Sequence, residues 1–558
     1  MRKRVKQVGR KLLIPSVIAV IILAAALRLW GIEWGLPTAR HYFSYHPDET
    51  LVLLAAMKVN PLAGALDPGF YNYGSLYIYL VNIAMFAATL TGMIQLPDDI
   101  FSNIGEFAKL YMAGRFVAAA LGIATVYLVY TLGRRAYGRE VGLLAALFMA
   151  ITPLHVMHSK FLAVDVPATF FVTLALVFAI RITDGHRLRD YLLSGLFAGL
   201  AAGTKYNAGL VILAPIIAHL TTAETRPILR IFSLKLASIP LLAAAGFLIG
   251  TPGALLNYDA FSRDFTYEIG HVRIGHGLVF THTAPGFIHH VTDSLWPGMG
   301  LPLLVLAAIG ILWAVRRHNA ADVALLAFAV AYYIVIGAAQ VKFARYTMPL
   351  LPVLALLAAR IWVELSAHLR SGGAASRFIE RIFLVLLILI VGYTTLYAVS
   401  LDRMMASKDP RDRAADWIKA NIPLGVSICL PTIPWFYTPP LDPYFGLPDA
   451  RDRYERMEEM TDYILIASRD TEWDAAFLAR ESPDYVVMSD YEYGDRKRIH
   501  DKAAAEYFAM LGRDYRLERR FFDAPSLWGQ QIPLLRKLPH DMSYASPTIL
   551  IYSRKAMD

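Results

Sequence analysis

Apolar runs of about 20 residues recur through positions 1–400 of this chain, and nothing else in it narrows the choice of fold so far. Lipid offers a backbone amide no hydrogen-bond partner, so a segment that crosses it must satisfy its own backbone, as a helix does. At 1.5 Å per residue, about 20 apolar residues match a hydrocarbon core roughly 30 Å thick. The whole chain of 558 residues is 56% hydrophobic and only 18% charged, far more apolar than a soluble core of this size needs. The expectation is a polytopic α-helical membrane protein.

The positive charges show how the runs are threaded. The net charge is +9, but Lys and Arg gather in short connections such as "RKRVKQVGRK", "GRR", "HRLRD", "RPILR" and "VRRH". Cytoplasmic loops hold such clusters, so they read as topology signals and not as a nucleic-acid surface. The run at 12–32 follows the basic N-terminus and reads as an uncleaved anchor; its length argues against the rival signal peptide cut near Ala24 to Ala26. Runs follow at 110–132, 141–156, 166–182, 191–220 (a close helical pair broken near "GTKYN"), 232–249, 301–315, 322–339, 346–363 and 382–399. With basic loops inside, the path has about eleven spans and a cytoplasmic N-terminus. The segment 75–96 does not fit the alternation and reads as juxtamembrane or re-entrant at the outer face. Two large external loops result, 33–109 and 251–299, the second carrying His271, His276, His282, His289 and His290.

Beyond position 400 the apolar runs stop and charge rises, so 401–558 reads as a soluble α/β domain on the periplasmic or extracellular side. Short helices are expected in "DRAADWIKAN" and "KAAAEYFAMLG", and strands in "VSICL", "DYILIA", "DYVVMS" and "TILIY". No glycine-rich nucleotide loop is present, and no active site is expected there. The single cysteine, Cys429, excludes an intrachain disulfide and any cysteine-based metal or redox motif.

Four places combine charge with a membrane boundary. "HPDE" puts His46, Pro47, Asp48 and Glu49 just after the first run, where a bland reading has Pro and acids opening a helix. Asp165, in "HSKFLAVDVPATFF", begins another span and admits the same reading. Lys205 interrupts the apolar stretch "GLAAGTKYNAGL", where a cation at mid-helix costs roughly 2.5–3.5 kcal/mol; snorkelling is its bland alternative. Lys342, Arg345 and Tyr346, in "QVKFARYTMPLLP", set positive charge at an outer boundary against the usual bias, which points to an anionic partner or to lipid headgroups. Moving a sugar from a phosphate-linked carrier to a hydroxyl needs a base for the proton and cations for the departing phosphate. Carboxylates and cations at an outer face supply both, and a polyprenyl-phosphate sugar is the donor that would reach them there.

"HPDE", "AGRFVAAALGIATVYLVYTLGRRAYG", "HSKFLAVDVPATFF", "GLAAGTKYNAGLVILAP" and "FARYTMPLLPVLALLAA", in this order, resemble the membrane glycosyltransferases of the C-type (GT-C) fold. Within that fold they are similar to the bacterial branch related to protein O-mannosyltransferases and to the aminoarabinose transferases that modify lipid A. The resemblance implies an inverting transfer with Asp48 as general base, Glu49 beside it and Asp165 as the second acidic site. It also implies an acceptor that is a glycan, lipid or protein. The Lys-Pro-Pro element of the aminoarabinose transferases is missing from the first loop, which reads "YNYGSLYIYL". Phosphate binding then falls to Lys205 and Arg345, with Lys342 and Tyr346 nearby. No motif calls for a particular cofactor; His46, His271 and His276 are candidate ligands for a divalent metal with Asp48, but solvated loop histidines explain their irregular spacing better. The competing function is a secondary transporter or a flippase of lipid-linked sugar, in which Lys205 and Asp165 would line the path.

Overall fold

The computed structural model of the protein describes residues 2–95, 103–222, 230–443, 462–467 and 472–556. The far end of the 75–96 segment and Arg226 of the "RPILR" connection lie outside these residues. The apolar runs form helices: α1 (Arg2–Leu29), α4 (Ile104–Ala136), α5 (Arg139–Ile151), α7 (Asp165–Gly185), α8 (Leu188–Ala202) and α9 (Leu213–Thr222). They continue as Leu234–Gly250, Leu301–Arg317, Ala320–Gly337, Leu351–Ser371 and Ala374–Ala406. Between α1 and α4 the first loop holds two further helices, α2 (Glu49–Lys58) and α3 (Leu76–Leu90), and between α5 and α7 comes the short α6 (Pro153–His158).

Among the described residues five segments are long and apolar enough to cross a membrane: Ile104–Ala136, Asp165–Gly185, Ala320–Gly337, Ala344–Ser371 and Ala374–Asn421. The chain is built as a multi-pass membrane protein, but the expected count of about eleven spans is not met by helices of that length. Two of the runs are interrupted, since Pro153 ends the 141–156 run as one helix and begins another and the 191–220 run breaks between Ala202 and Tyr206, while Leu234–Gly250 and Leu301–Arg317 are unbroken but only 17 residues each. The 75–96 segment contains α3, which at 15 residues is about 22 Å long and packs on α2 and α4.

Helix α7 is apolar on every side and is buried on nearly every side, against α4, α8, α9 and the turn Ala344–Leu350. Its neighbour α8 meets the helix Leu234–Gly250 almost backbone to backbone. A Cβ on Gly199 would stand 2.0 Å from the Ala243 carbonyl oxygen, and one on Gly195 2.5 Å from that of Ile239. Small residues four apart make this approach, as in membrane helix pairs that associate by close packing.

In the C-terminal region, strands β1 (Ser427–Cys429), β2 (Ile464–Ile466), β3 (Tyr485–Ser489), β4 (Tyr515–Phe521) and β7 (Ile549–Arg554) form one sheet in the order β2-β1-β3-β7-β4. β1 is parallel to β2 and β3, while β7 is antiparallel to β3 and β4; a separate two-stranded ribbon joins β5 (Ser526–Leu527) to β6 (Gln530–Gln531). This region is fixed to the first loop. The Trp34 indole donates to Asp409 at 3.0 Å, the Tyr45 hydroxyl donates to Asp412 at 2.6 Å, and the Arg411 guanidinium lies 3.7 Å from the Tyr45 ring centre.

Candidate active site

The adjacent carboxylates Asp48 and Glu49 part ways because successive residues of a helix point about 100° apart. Glu49 turns inward and is fully buried. It accepts hydrogen bonds from Arg115 at 2.8 and 2.6 Å, from the Leu162 amide at 2.7 Å and from the Ser44 hydroxyl. Burial on its own raises this carboxyl's pKa, but the Arg115 charge and hydrogen bonds outweigh that and hold it below the ordinary value. With these donors around it, Glu49 ties the first loop to α4.

Asp48 stands at the N-terminus of α2 without making a side-chain cap. Its Oδ2 is 3.2 Å from Nη2 of Arg345, and its side chain is 25% exposed, the most open of the charged groups gathered here. Asp165, the first residue of α7, also leaves its helix end uncapped and pairs through Oδ1 with Lys205 at 2.6 Å. The break after α8 makes this pairing accessible: Lys205 is in an extended conformation between α8 and the 3-10 helix Tyr206–Ile212, and its Nζ lies 4.2 Å from the centre of the Tyr346 ring. Both acids do open helices, as the bland reading has it, and each is ion-paired as well.

Arg345 joins the set. Beyond Asp48 it has Oδ2 of Asp165 at 3.9 Å, Oδ2 of Asp541 at 3.8 Å, the Tyr544 hydroxyl at 3.4 Å, and the Phe343 ring centre at 4.0 Å. Asp541 also accepts from the backbone amides of Ala344 at 3.1 Å and Arg345 at 2.8 Å, which fixes the turn that carries the guanidinium. Asp541 and Tyr544 come from the C-terminal region, where the sequence led us to expect no site residue. No local motif in "LPHDMSYASP" marks them, since their role depends on how that region folds back.

The remaining expected residues lie elsewhere. Lys342 donates to the Ala284 carbonyl at 3.0 Å and lines a cavity of about 520 Å³ that borders the cluster through Phe343 and Asp541 and is also lined by Tyr491 and His540. His46 is buried between the rings of Phe161 and Tyr544, and burial holds its imidazole below the ordinary pKa despite the opposing pull of Asp48 and Glu49. His271 and His276 bond to each other at 2.9 Å. Among the described residues no three His, Cys, Asp or Glu side chains come together as a metal set, so these histidines do not fit the expected ligand group.

Over 96% of its length the chain superposes on the Archaeoglobus fulgidus oligosaccharyltransferase AglB in complex with an inhibitory peptide and a dolichol-phosphate, covering 77% of that chain, with a TM-score of 0.51 and 15% identity. The fold is that of the C-type membrane glycosyltransferases. ArnT from Cupriavidus metallidurans bound to undecaprenyl phosphate, a second C-type structure, is 12% identical and matches 97% of this chain and 98% of its own, with a TM-score of 0.47. In sequence, residues 99–250 match the family described as dolichyl-phosphate-mannose-protein mannosyltransferase, a segment that holds Asp165 and Lys205 but not Asp48, Arg345 or Asp541. An uncharacterised protein of Aquifex aeolicus is 24% identical over 169 residues, 26% of this chain and 34% of the relative, so the chain spans about a third of that relative's length.

Proposed function

We propose that the protein is an inverting glycosyltransferase that moves a sugar from a polyprenyl-phosphate donor to a hydroxyl acceptor at the outer face of the membrane. The observation that carries this reading is the chain of alternating charges from Asp48 through Arg345 and Asp165 to Lys205 in a C-type fold. A donor phosphate has two cations within one cluster to meet, Arg345 and Lys205, and arginine's planar fork suits phosphate oxygens. Phosphate that takes over Arg345 releases Asp48 from its ion pair, and the freed carboxylate becomes the base.

In the transfer, the acceptor oxygen forms a bond to the anomeric carbon as its proton passes to Asp48. The bond from that carbon to the phosphate oxygen breaks, and the charge left on the carrier phosphate is met by Arg345 and Lys205. One displacement inverts the anomeric centre. Asp165 keeps Lys205 oriented, Tyr346 lies under its ammonium, and Asp541 holds the backbone of Arg345; these act through the cations and are positioning residues.

Binding of undecaprenyl phosphate to the purified protein tests the phosphate role. Arg345→Ala is expected to weaken it at least tenfold, about 1.4 kcal/mol for one charge-assisted contact. Equal affinity in the variant would remove Arg345 from the donor site.

A further inference from the structure

At the other end of α7, some 30 Å along the helix from Asp165, a cavity of about 450 Å³ opens between α4, α7 and the start of α8. Its lining includes Thr131, Arg134 and Arg135 from α4, and Val177, Arg181 and Asp184 from α7. Arg187 and Asp190 close it at the turn into α8. Thr131 and Arg134 on α4, and Val177, Arg181 and Asp184 on α7, follow the spacing of one helical face, so two stripes line the same space, and Tyr127 continues the α4 face one turn beyond it. Each stripe is uncharged on its inner side and charged at the helix end.

The charges do not cancel. Asp184 takes Arg135 at 3.1 Å and Asp190 takes Arg181 at 3.0 Å, while among the described residues Arg134 and Arg187 have no ion pair. Arg181 lies a full turn inside the end of α7, 28% exposed and 5.3 Å from the Phe178 ring centre, a depth at which a cation normally needs an anionic partner. The apolar faces beside the cavity are open, with Tyr127 53% and Leu188 50% exposed.

We propose that this cavity binds the phosphate headgroup of an anionic membrane phospholipid, with the acyl chains lying along the exposed face of α4 at Tyr127. The two unpaired arginines meet the phosphate, and the gradient from uncharged depth to cationic rim matches a lipid's own polarity. A soluble anion would use only the rim.

Native mass spectrometry of the full chain released from detergent, loaded with equal phosphatidylglycerol and phosphatidylcholine, reads the preference directly. The wild type is expected to retain phosphatidylglycerol about tenfold over phosphatidylcholine, and Arg134→Gln with Arg187→Gln to bring that ratio close to one. Should the double variant fail to fold, Arg187→Gln alone, at an exposed turn, is expected to lower the ratio at least threefold. Added inorganic phosphate, at the same concentration as the lipid, is expected to displace none of it. Equal retention of both lipids, or a ratio unchanged in the variants, would overturn the proposal and leave these arginines as topology signals at helix ends. Displacement by inorganic phosphate would overturn the lipid source.

Discussion

Replacing Glu49 by Gln separates structure from chemistry at two adjacent carboxylates. Among the described residues Glu49 is the sole carboxylate partner of Arg115, whose side chain is fully buried and whose Nη1 otherwise donates to the carbonyls of Ile32 and Trp34, each at 2.7 Å. Glutamine keeps the volume but leaves a buried guanidinium without its counter-charge, and breaking such a pair costs about 3–5 kcal/mol. At 3 kcal/mol the ratio of folded to unfolded protein falls roughly 150-fold. Asp48→Asn, one residue earlier, touches a partly exposed pair and is expected to cost no more than about 1 kcal/mol. Thermal unfolding in detergent, followed by tryptophan fluorescence, should show a clearly lowered Tm for Glu49→Gln and a nearly unchanged one for Asp48→Asn. The pH dependence has a definite sign. Because folding holds the Glu49 carboxyl below its ordinary pKa, its contribution is complete above that value and is lost as the pH falls through the folded one. Glu49→Gln should therefore flatten the acid limb of stability. A Glu49→Gln variant that melts like the wild type, yet has lost transfer, would refute the structural role and return Glu49 to the chemistry.

Asp541→Ala removes the acceptor of two backbone amides that carry Arg345, and transfer is expected to fall at least tenfold while the protein still inserts in the membrane; Asp541→Asn, which keeps one acceptor oxygen, should retain more, as steady-state assays of both would show. Gly199→Leu would drive a side chain into the Ala243 carbonyl, and is expected to reduce yield and melting temperature sharply, measured by size-exclusion profile and thermal unfolding; a wild-type profile would contradict the close packing of α8.

Much of the membrane part was legible because lipid imposes a length and a polarity that show in one sequence. The break at "GTKYN" and the helix starting at Asp165 follow from apolar run length and the positions of Gly and Pro. In the C-terminal region the four expected strands are present, whereas β4, "YRLERRF", was not expected. It is an edge strand whose exposed face carries charge, which hides the apolar alternation that marks a strand. Asp541 and Tyr544 were invisible for a different reason: they reach Arg345 across nearly 200 positions, and such a contact leaves no local pattern. Neither could the pair Asp48 and Glu49 be told apart before the helix set their directions, since as neighbours they share the same composition and flanks.

Transfer of labelled sugar from polyprenyl-phosphate donors in membranes, comparing the wild type with Asp48→Asn at equal protein level, puts the central claim to the most direct test. The account predicts label moved to an acceptor by the wild type and at least a hundredfold less by the variant, with the anomeric configuration inverted in the product. Undiminished transfer by Asp48→Asn would contradict Asp48 as the base, and label that crosses the bilayer still on its carrier, without transfer, would favour a flippase.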